Sequence, residues 1–166
     1  MFPGGVATKF FAIGADKVKK LYVGSTQVWA LVTFVASGLV KSGSFATSSG
    51  NAWSRLTGWT GSTGGTIIES DGIRVPEGLV VNYSVSVTFG ADTGPSTTQG
   101  ARLMNGIAIV NDTETSWTGY GNSSMTKSGT LTGTGELVTV EARASSSGSR
   151  GTVIAAGTSL TLTPVT

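Results

Sequence analysis

The sequence predicts an all-β fold of antiparallel strands, and three observations carry that prediction. Glycine occurs 25 times in 166 residues and serine and threonine fill much of the remainder. These residues are poor in helix interiors, whereas threonine and valine suit a pleated surface. The stretch from Leu79 to Phe89 sets Leu79, Val81, Tyr83, Val85, Val87 and Phe89 against Asn82, Ser84, Ser86 and Thr88, the period of a strand buried on one face. No window elsewhere carries a helical period.

In chain order, Met1 to Val32 opens with Pro3-Gly4-Gly5, continues as VATKFFAI to a turn at Gly14-Ala15-Asp16, and then reads KKLYVGSTQVWA. Gly24-Ser25 suits a two-residue turn, which would set Val23 opposite Thr26, Tyr22 opposite Gln27, Leu21 opposite Val28 and Lys20 opposite Trp29. A lone hairpin is marginal in water, so it needs a surface to pack on. From Thr33 to Gly65 the signals weaken: TFVASGLV reads as a strand and SGSFATSSGNAWSRLTGWTGSTGG as loop, before Thr66-Ile67-Ile68 restarts an apolar run. After the strand that ends at Phe89, GADTGPSTTQG reads as a loop and ARLMNGIAIV as a strand with Gly106 at a bulge or turn. NDTETSWTGYGNSS reads as loop or edge. In ELVTVEARAS, Val138, Val140, Ala142 and Ala144 share one face, with Thr139, Glu141 and Arg143 on the other. The closing GTSLTLTPV turns Leu160 and Leu162 inward. Eight to ten short strands at this spacing predict a sandwich or jelly roll. The expected organisation is an N-terminal hairpin segment over residues 1–32 and one β-sandwich domain over 33–166.

Charge and composition exclude several classes. Residues 1–32 hold Lys9, Lys17, Lys19 and Lys20 against Asp16, so the net positive charge sits there and the remainder is close to neutral. The body lacks the basic stripe with interleaved aromatics of a nucleic-acid reader, and nucleic acid is not an expected partner. Cysteine and histidine are both absent, which removes disulfides, thiolate metal sites, the usual general base and the commonest metal ligand. No cofactor or metal is expected. The first residues lack the basic start and apolar run of a signal peptide, and no apolar run approaches a bilayer span, so no membrane insertion is expected.

The succession IRVPEGLVVNYSVSVTF, ARLMNGIAIVN, LTGTGELVTVEARAS and TSLTLTPV resembles the C1q/TNF-like jelly-roll family. Val75-Pro76 with Gly78-Leu79 matches its turn before a strand, and Leu131 to Val138, with Gly135-Glu136, matches the turn that starts a later long strand. The likeness runs from Ile67 to Val165. Separately, Lys19 to Trp29 is similar to a segment near the N-terminus of minor tail proteins from actinobacterial phages, with Ala30 where proline is frequent. Together the two resemblances imply a virion protein assembled in the host cytoplasm. They imply an N-terminal attachment element, with Lys19, Lys20, Tyr22, Gln27 and Trp29 docking onto other phage structural proteins, and a homotrimeric jelly-roll head. A minor tail role in host-surface contact is the leading expectation, and trimeric capsid decoration or a head fibre is the alternative.

Without histidine or cysteine, catalysis would fall to carboxylates, and Glu69/Asp71 and Asp112/Glu114 are the local pairs. Both lie in expected turns, where solvated polar residues are ordinary, and no enzymatic activity is expected. Gly133-x-Gly135 lacks the lysine and helix of a phosphate loop. Asn-x-Ser/Thr sequons at Asn82, Asn111 and Asn122 would matter only in a secretory pathway. Trp53, Trp59, Trp117 and Tyr120 are aromatic residues in Gly/Ser-rich surroundings. They could stack on a host glycan or receptor, although such residues more often plug the core or line a contact between copies.

Overall fold

The computed structural model describes residues 12–13, 16–17, 20–23, 26–30, 34–47, 50–63, 66, 68–90, 92–121, 123–145 and 152–165. The chain divides into two units, Met1–Thr33 and Phe34–Thr166. The first unit holds two short antiparallel pairs. β1 (Ala12–Ile13) pairs with β2 (Asp16–Lys17), and β3 (Lys20–Val23) with β4 (Thr26–Ala30). Val23 faces Thr26 and Tyr22 faces Gln27 as the hairpin reading has it, but the register then slips. Leu21 faces Trp29 and Lys20 faces Ala30, so Val28 is the extra residue of a β-bulge, a device that bends a strand and redirects its remaining side chains. Gly24-Ser25, the expected turn, and Lys19 lie outside the described residues.

The second unit is a sandwich of two antiparallel sheets. Its strands are β5 (Ser37–Lys41), β6 (Phe45–Ala46), β7 (Ser54–Arg55), β8 (Trp59–Gly61), β9 (Ile73–Arg74) and β10 (Val80–Thr88). There follow β11 (Asp92–Asn105), β12 (Ala108–Ile109), β13 (Thr115–Gly121), β14 (Ser124–Thr132), β15 (Leu137–Ala144), β16 (Thr152–Val153) and β17 (Ser159–Pro164). The first sheet runs β14-β10-β17-β5-β8, and the second has β11 and β15 at its centre, with β12 and β13 on the outer side of β11 and β7 and β9 on that of β15. β16 and β6 form a small separate pair. These thirteen strands exceed the eight to ten expected because several are two-residue pieces inside segments whose Gly and Ser content reads as loop.

The core lies between the sheets. Val81, Tyr83, Val85 and Val87 of β10, Leu160 and Leu162 of β17, Leu39 of β5 and Met125 and Leu131 of β14 meet Ala101 and Leu103 of β11 and Val138, Val140 and Ala142 of β15, all buried. Strict alternation puts these residues on one face of each strand, and burying that face drives the two sheets together.

One expectation is corrected. GADTGPSTTQG is largely strand, because β11 begins at Asp92 and its Thr97 and Gln99 are buried. Its pairing with β13 is interrupted between Asp92 and Thr97, so Pro95 sits where the ladder demands no N–H. That composition of Gly, Pro and Asp hides the strand from a reading by residue type.

The chain crosses between sheets twice at one corner, from β9 to β10 and from β14 to β15. The two crossings are hydrogen-bonded to each other: the Gly133 N–H donates to Leu79 O at 2.8 Å, Gly78 N–H to Gly133 O at 2.8 Å and Gly135 N–H to Val75 O at 3.1 Å. A β-carbon on Gly133 would overlap Pro76 O and stand 2.6 Å from Val75 Cγ1, so only glycine lets the backbones approach this closely. The two turns that carry the C1q/TNF-like resemblance are therefore partners in space.

Candidate functional site

Alternation leaves each sheet with an outer face, and the two faces differ in chemistry. The first sheet turns outward Val80, Asn82, Ser84, Ser86 and Thr88 from β10. These stand opposite Thr132, Thr130, Ser128, Thr126 and Ser124 of β14 on one side, and opposite Thr163, Thr161 and Ser159 of β17 from Asn82 to Ser86 on the other. Val40 of β5 follows beside Ser159. Among the described residues this face carries no charged side chain, and Val40 and Val80 are exposed on it. Lys127, the one lysine of β14, belongs to the opposite, inward set and is half-buried. An inward-pointing charge on an edge strand discourages pairing with a foreign strand.

The second sheet gathers the charge. Arg102 of β11 stands opposite Glu141 of β15, with Gly100 opposite both Arg143 and Ser116. Arg102 donates from Nε and Nη2 to Glu141 Oε2 at 2.9 and 2.7 Å, and from Nη1 to Glu114 Oε2 at 3.4 Å. Arg143 crosses over Gly100 to donate from Nη2 to Ser116 Oγ at 2.8 Å, and it passes Glu114 at 3.9 Å. The crossing suits glycine, since a β-carbon at position 100 would lie 3.0 Å from Arg143 Nε and 3.2 Å from Thr115 O. Trp53, one residue before β7, covers both cations: its ring centroid is 4.2 Å from the Arg102 guanidinium carbon and 4.4 Å from that of Arg143. Contacts of this kind contribute roughly 0.5–2 kcal/mol each. Packed in this layer, Arg143 Nε is buried without a hydrogen-bond partner, while Trp53 itself stays half-buried.

The other aromatic candidates lie elsewhere. Trp59 of β8 is 7% exposed, a core residue whose Nε1 donates to Leu56 O at 2.9 Å. Trp117 of β13 faces inward, meets Phe89 edge-on at 5.7 Å and donates from Nε1 to the buried Gln99 Oε1 at 2.9 Å. For these two the structure gives a packing role. The backbone of Tyr120 runs in β13, and its side chain lies outside the described residues, as do those of Lys20, Tyr22, Gln27 and Trp29 in β3 and β4. The reading by residue type missed Arg102, Arg143 and Glu141 as companions of Trp53. Their outward alternation in β11 and β15 was the available signal.

Of the paired carboxylates, Glu69, Asp71 and Glu114 are engaged in structure. Glu69 takes a two-point contact from Arg74, at 2.6 and 2.9 Å, which holds its carboxyl below the usual range and raises the arginine. Asp71 Oδ1 accepts the Gly58 N–H at 2.9 Å in a turn where Ser70 and Asp71 both have positive φ. Glu114 faces the arginines, and among the described residues no group of three acidic side chains could hold a metal ion. Lys41, at the end of β5, is buried and donates from Nζ to Ser42 O, Gly43 O and Gly58 O at 2.9, 3.1 and 3.4 Å. Burial pushes its ammonium below the ordinary value, against the opposing pull of Asp71. A cleft of about 270 Å³ between β12 and the end of β14 is lined by Asn105, Ile109, Asn111 and Thr130 among others.

No protein-family model matches this chain, and no curated protein sequence matches it either. Solved structures share its fold. Eiger TNF from S. frugiperda superposes with a TM-score of 0.55 at 11% identity, over 80% of this chain and 93% of that one. Murine APRIL at pH 8.0 gives 0.52 at 15% identity, and at pH 5.0 gives 0.51 at 14%, each over 78% of this chain and 98% of that one. The second unit is thus an antiparallel jelly-roll sandwich of the TNF-like kind.

Proposed function

We propose that the protein is a non-enzymatic structural component of a tailed-phage virion, a minor tail protein whose jelly roll assembles as a homotrimer for host-surface contact. The observation that carries the assembly is the chemical division between the two outer faces. Copies of the charge-free face of the first sheet can meet without like-charge repulsion or the desolvation of ions, and its small side chains let the sheets approach closely. The charged, tryptophan-bearing face of the second sheet is then left to point outward in three copies, so that avidity multiplies a modest single-site affinity. The virion role rests on the likeness of Lys19 to Trp29 to phage tail segments. On this reading residues 1–32 dock the head through Lys19, Lys20, Tyr22, Gln27 and Trp29.

Deleting Met1–Val32 tests both parts. The expected product is a folded trimer by light scattering that no longer joins the virion. A monomer would sink the trimer, and continued incorporation would sink the docking role. Immunogold labelling over the head, in many copies, would move the protein from tail to capsid decoration.

A further inference from the structure

We propose that Trp53 is the stacking platform of a site for uncharged sugar rings, with Glu114 and the Arg102 and Arg143 guanidiniums supplying hydrogen bonds around its rim. The inference deepens the host-contact reading and rests on it for the outward placement of the site. A pyranose offers an apolar face of C–H groups ringed by hydroxyls. It needs a flat apolar surface of fixed orientation, bordered by both donors and acceptors.

Trp53 meets each requirement. Its orientation is held by two guanidiniums at 4.2 and 4.4 Å, so little ordering cost remains for binding. It is half-buried, so part of the residue still meets solvent. The bordering acceptor is Glu114, the most exposed member of the network at 39%. Its contacts to Arg102 at 3.4 Å and Arg143 at 3.9 Å are long. A hydroxyl inserted there can donate to the carboxylate and accept from a guanidinium, both charge-assisted bonds. Arg102 is meanwhile anchored by the tighter Glu141 contact at 2.7 Å.

Charge decides the class of sugar. The two arginines at the ring are matched by two carboxylates, Glu114 and Glu141, and Arg55, opposite Glu141 on the same face, donates instead to Ser70 O at 3.5 Å. An anionic sugar would compete with carboxylates already in place, whereas an uncharged ring uses them.

The test passes the full-length chain over surfaces bearing dextran, mannan or galactan, with heparin as the polyanion. Retention on at least one neutral polysaccharide is expected, with an affinity loss of about tenfold or more for Trp53→Ala, as for a truncated aromatic anchor. Glu114→Gln, which keeps the shape, should lower retention without lowering the melting temperature. If Trp53→Ala fails to fold, Glu114→Gln decides, and unchanged retention overturns the site. Retention on heparin alone, or on none of the surfaces, overturns it as well. Light scattering on the same samples separates the two readings. A monomer with Trp53-dependent binding overturns the trimer and keeps the site, and a trimer that binds no neutral sugar does the reverse.

Discussion

Tyr83 lies across Gly129. The two face each other between β10 and β14, and a β-carbon on Gly129 would stand 2.9 Å from the tyrosine oxygen and 3.1 Å from its ring. The ring covers a strand position that has no side chain of its own, and it is buried in doing so.

Gly129→Ala should therefore cost about 1–3 kcal/mol by displacing the ring, and Tyr83→Ala about 3–5 kcal/mol by emptying the core. The residues share one space, so the double variant should lose less than the two single losses added together. Chemical denaturation of the three variants reads this directly, and strict additivity would show that the ring does not depend on the glycine.

Lys41 sets a pH dependence. Its folded-state affinity for a proton is lowered, by burial first and against the attraction of Asp71. The unfolded chain therefore holds the proton to higher pH than the folded one, and stability should rise with pH between the folded and the ordinary lysine values. Asp71→Asn removes the opposing pull and should steepen that rise in a denaturation series from neutral to alkaline pH. Lys41→Met should abolish it, while leaving three carbonyls short of a donor at a cost of about 1–3 kcal/mol.

The bond from Trp117 to Gln99 joins an edge strand to the strand beside it. Trp117→Phe keeps a ring against Phe89 but takes the Nε1 donor from a buried oxygen, at an expected cost of about 1–3 kcal/mol. Trp117→Ala should cost about 3–5 kcal/mol. Thermal melts of both variants should rank them in that order.

Ser84 sits near the middle of the charge-free face, between Ser128 and Thr161. Ser84→Glu is a surface change for a lone sandwich and should alter its stability by no more than about 0.5 kcal/mol. In a trimer built on this face it buries three carboxylates together, and light scattering should report monomer. A trimer that tolerates the substitution would place the contact elsewhere.

The sequence showed the core strands well, because burial there depends on alternation alone. Val81, Tyr83, Val85 and Val87, Val138, Val140, Ala142 and Ala144, and Leu160 and Leu162 all point inward as their spacing requires. It hid the first half of β11, where Gly, Pro and Asp suit a loop and pairing with β13 supplies the strand. It likewise hid the bulge at Val28, since register depends on hydrogen bonding that composition does not record. Trp53 was visible as an aromatic residue. The two arginines beneath it come from strands roughly 50 and 90 residues further along, and only the pairing of β11 with β15 brings them together.

The corner at Gly133 bears on how the chain reaches its fold. Val75–Leu79 and Leu131–Glu136 must find each other across more than fifty residues of intervening chain, and the ordering of that loop is unfavourable until their hydrogen bonds form. With no cysteine to hold the corner covalently, closure is a reversible search for a non-local match. Folding should accordingly be slow for a protein of this length, and a Gly133 substitution should slow it further wherever the corner is already formed in the rate-limiting step.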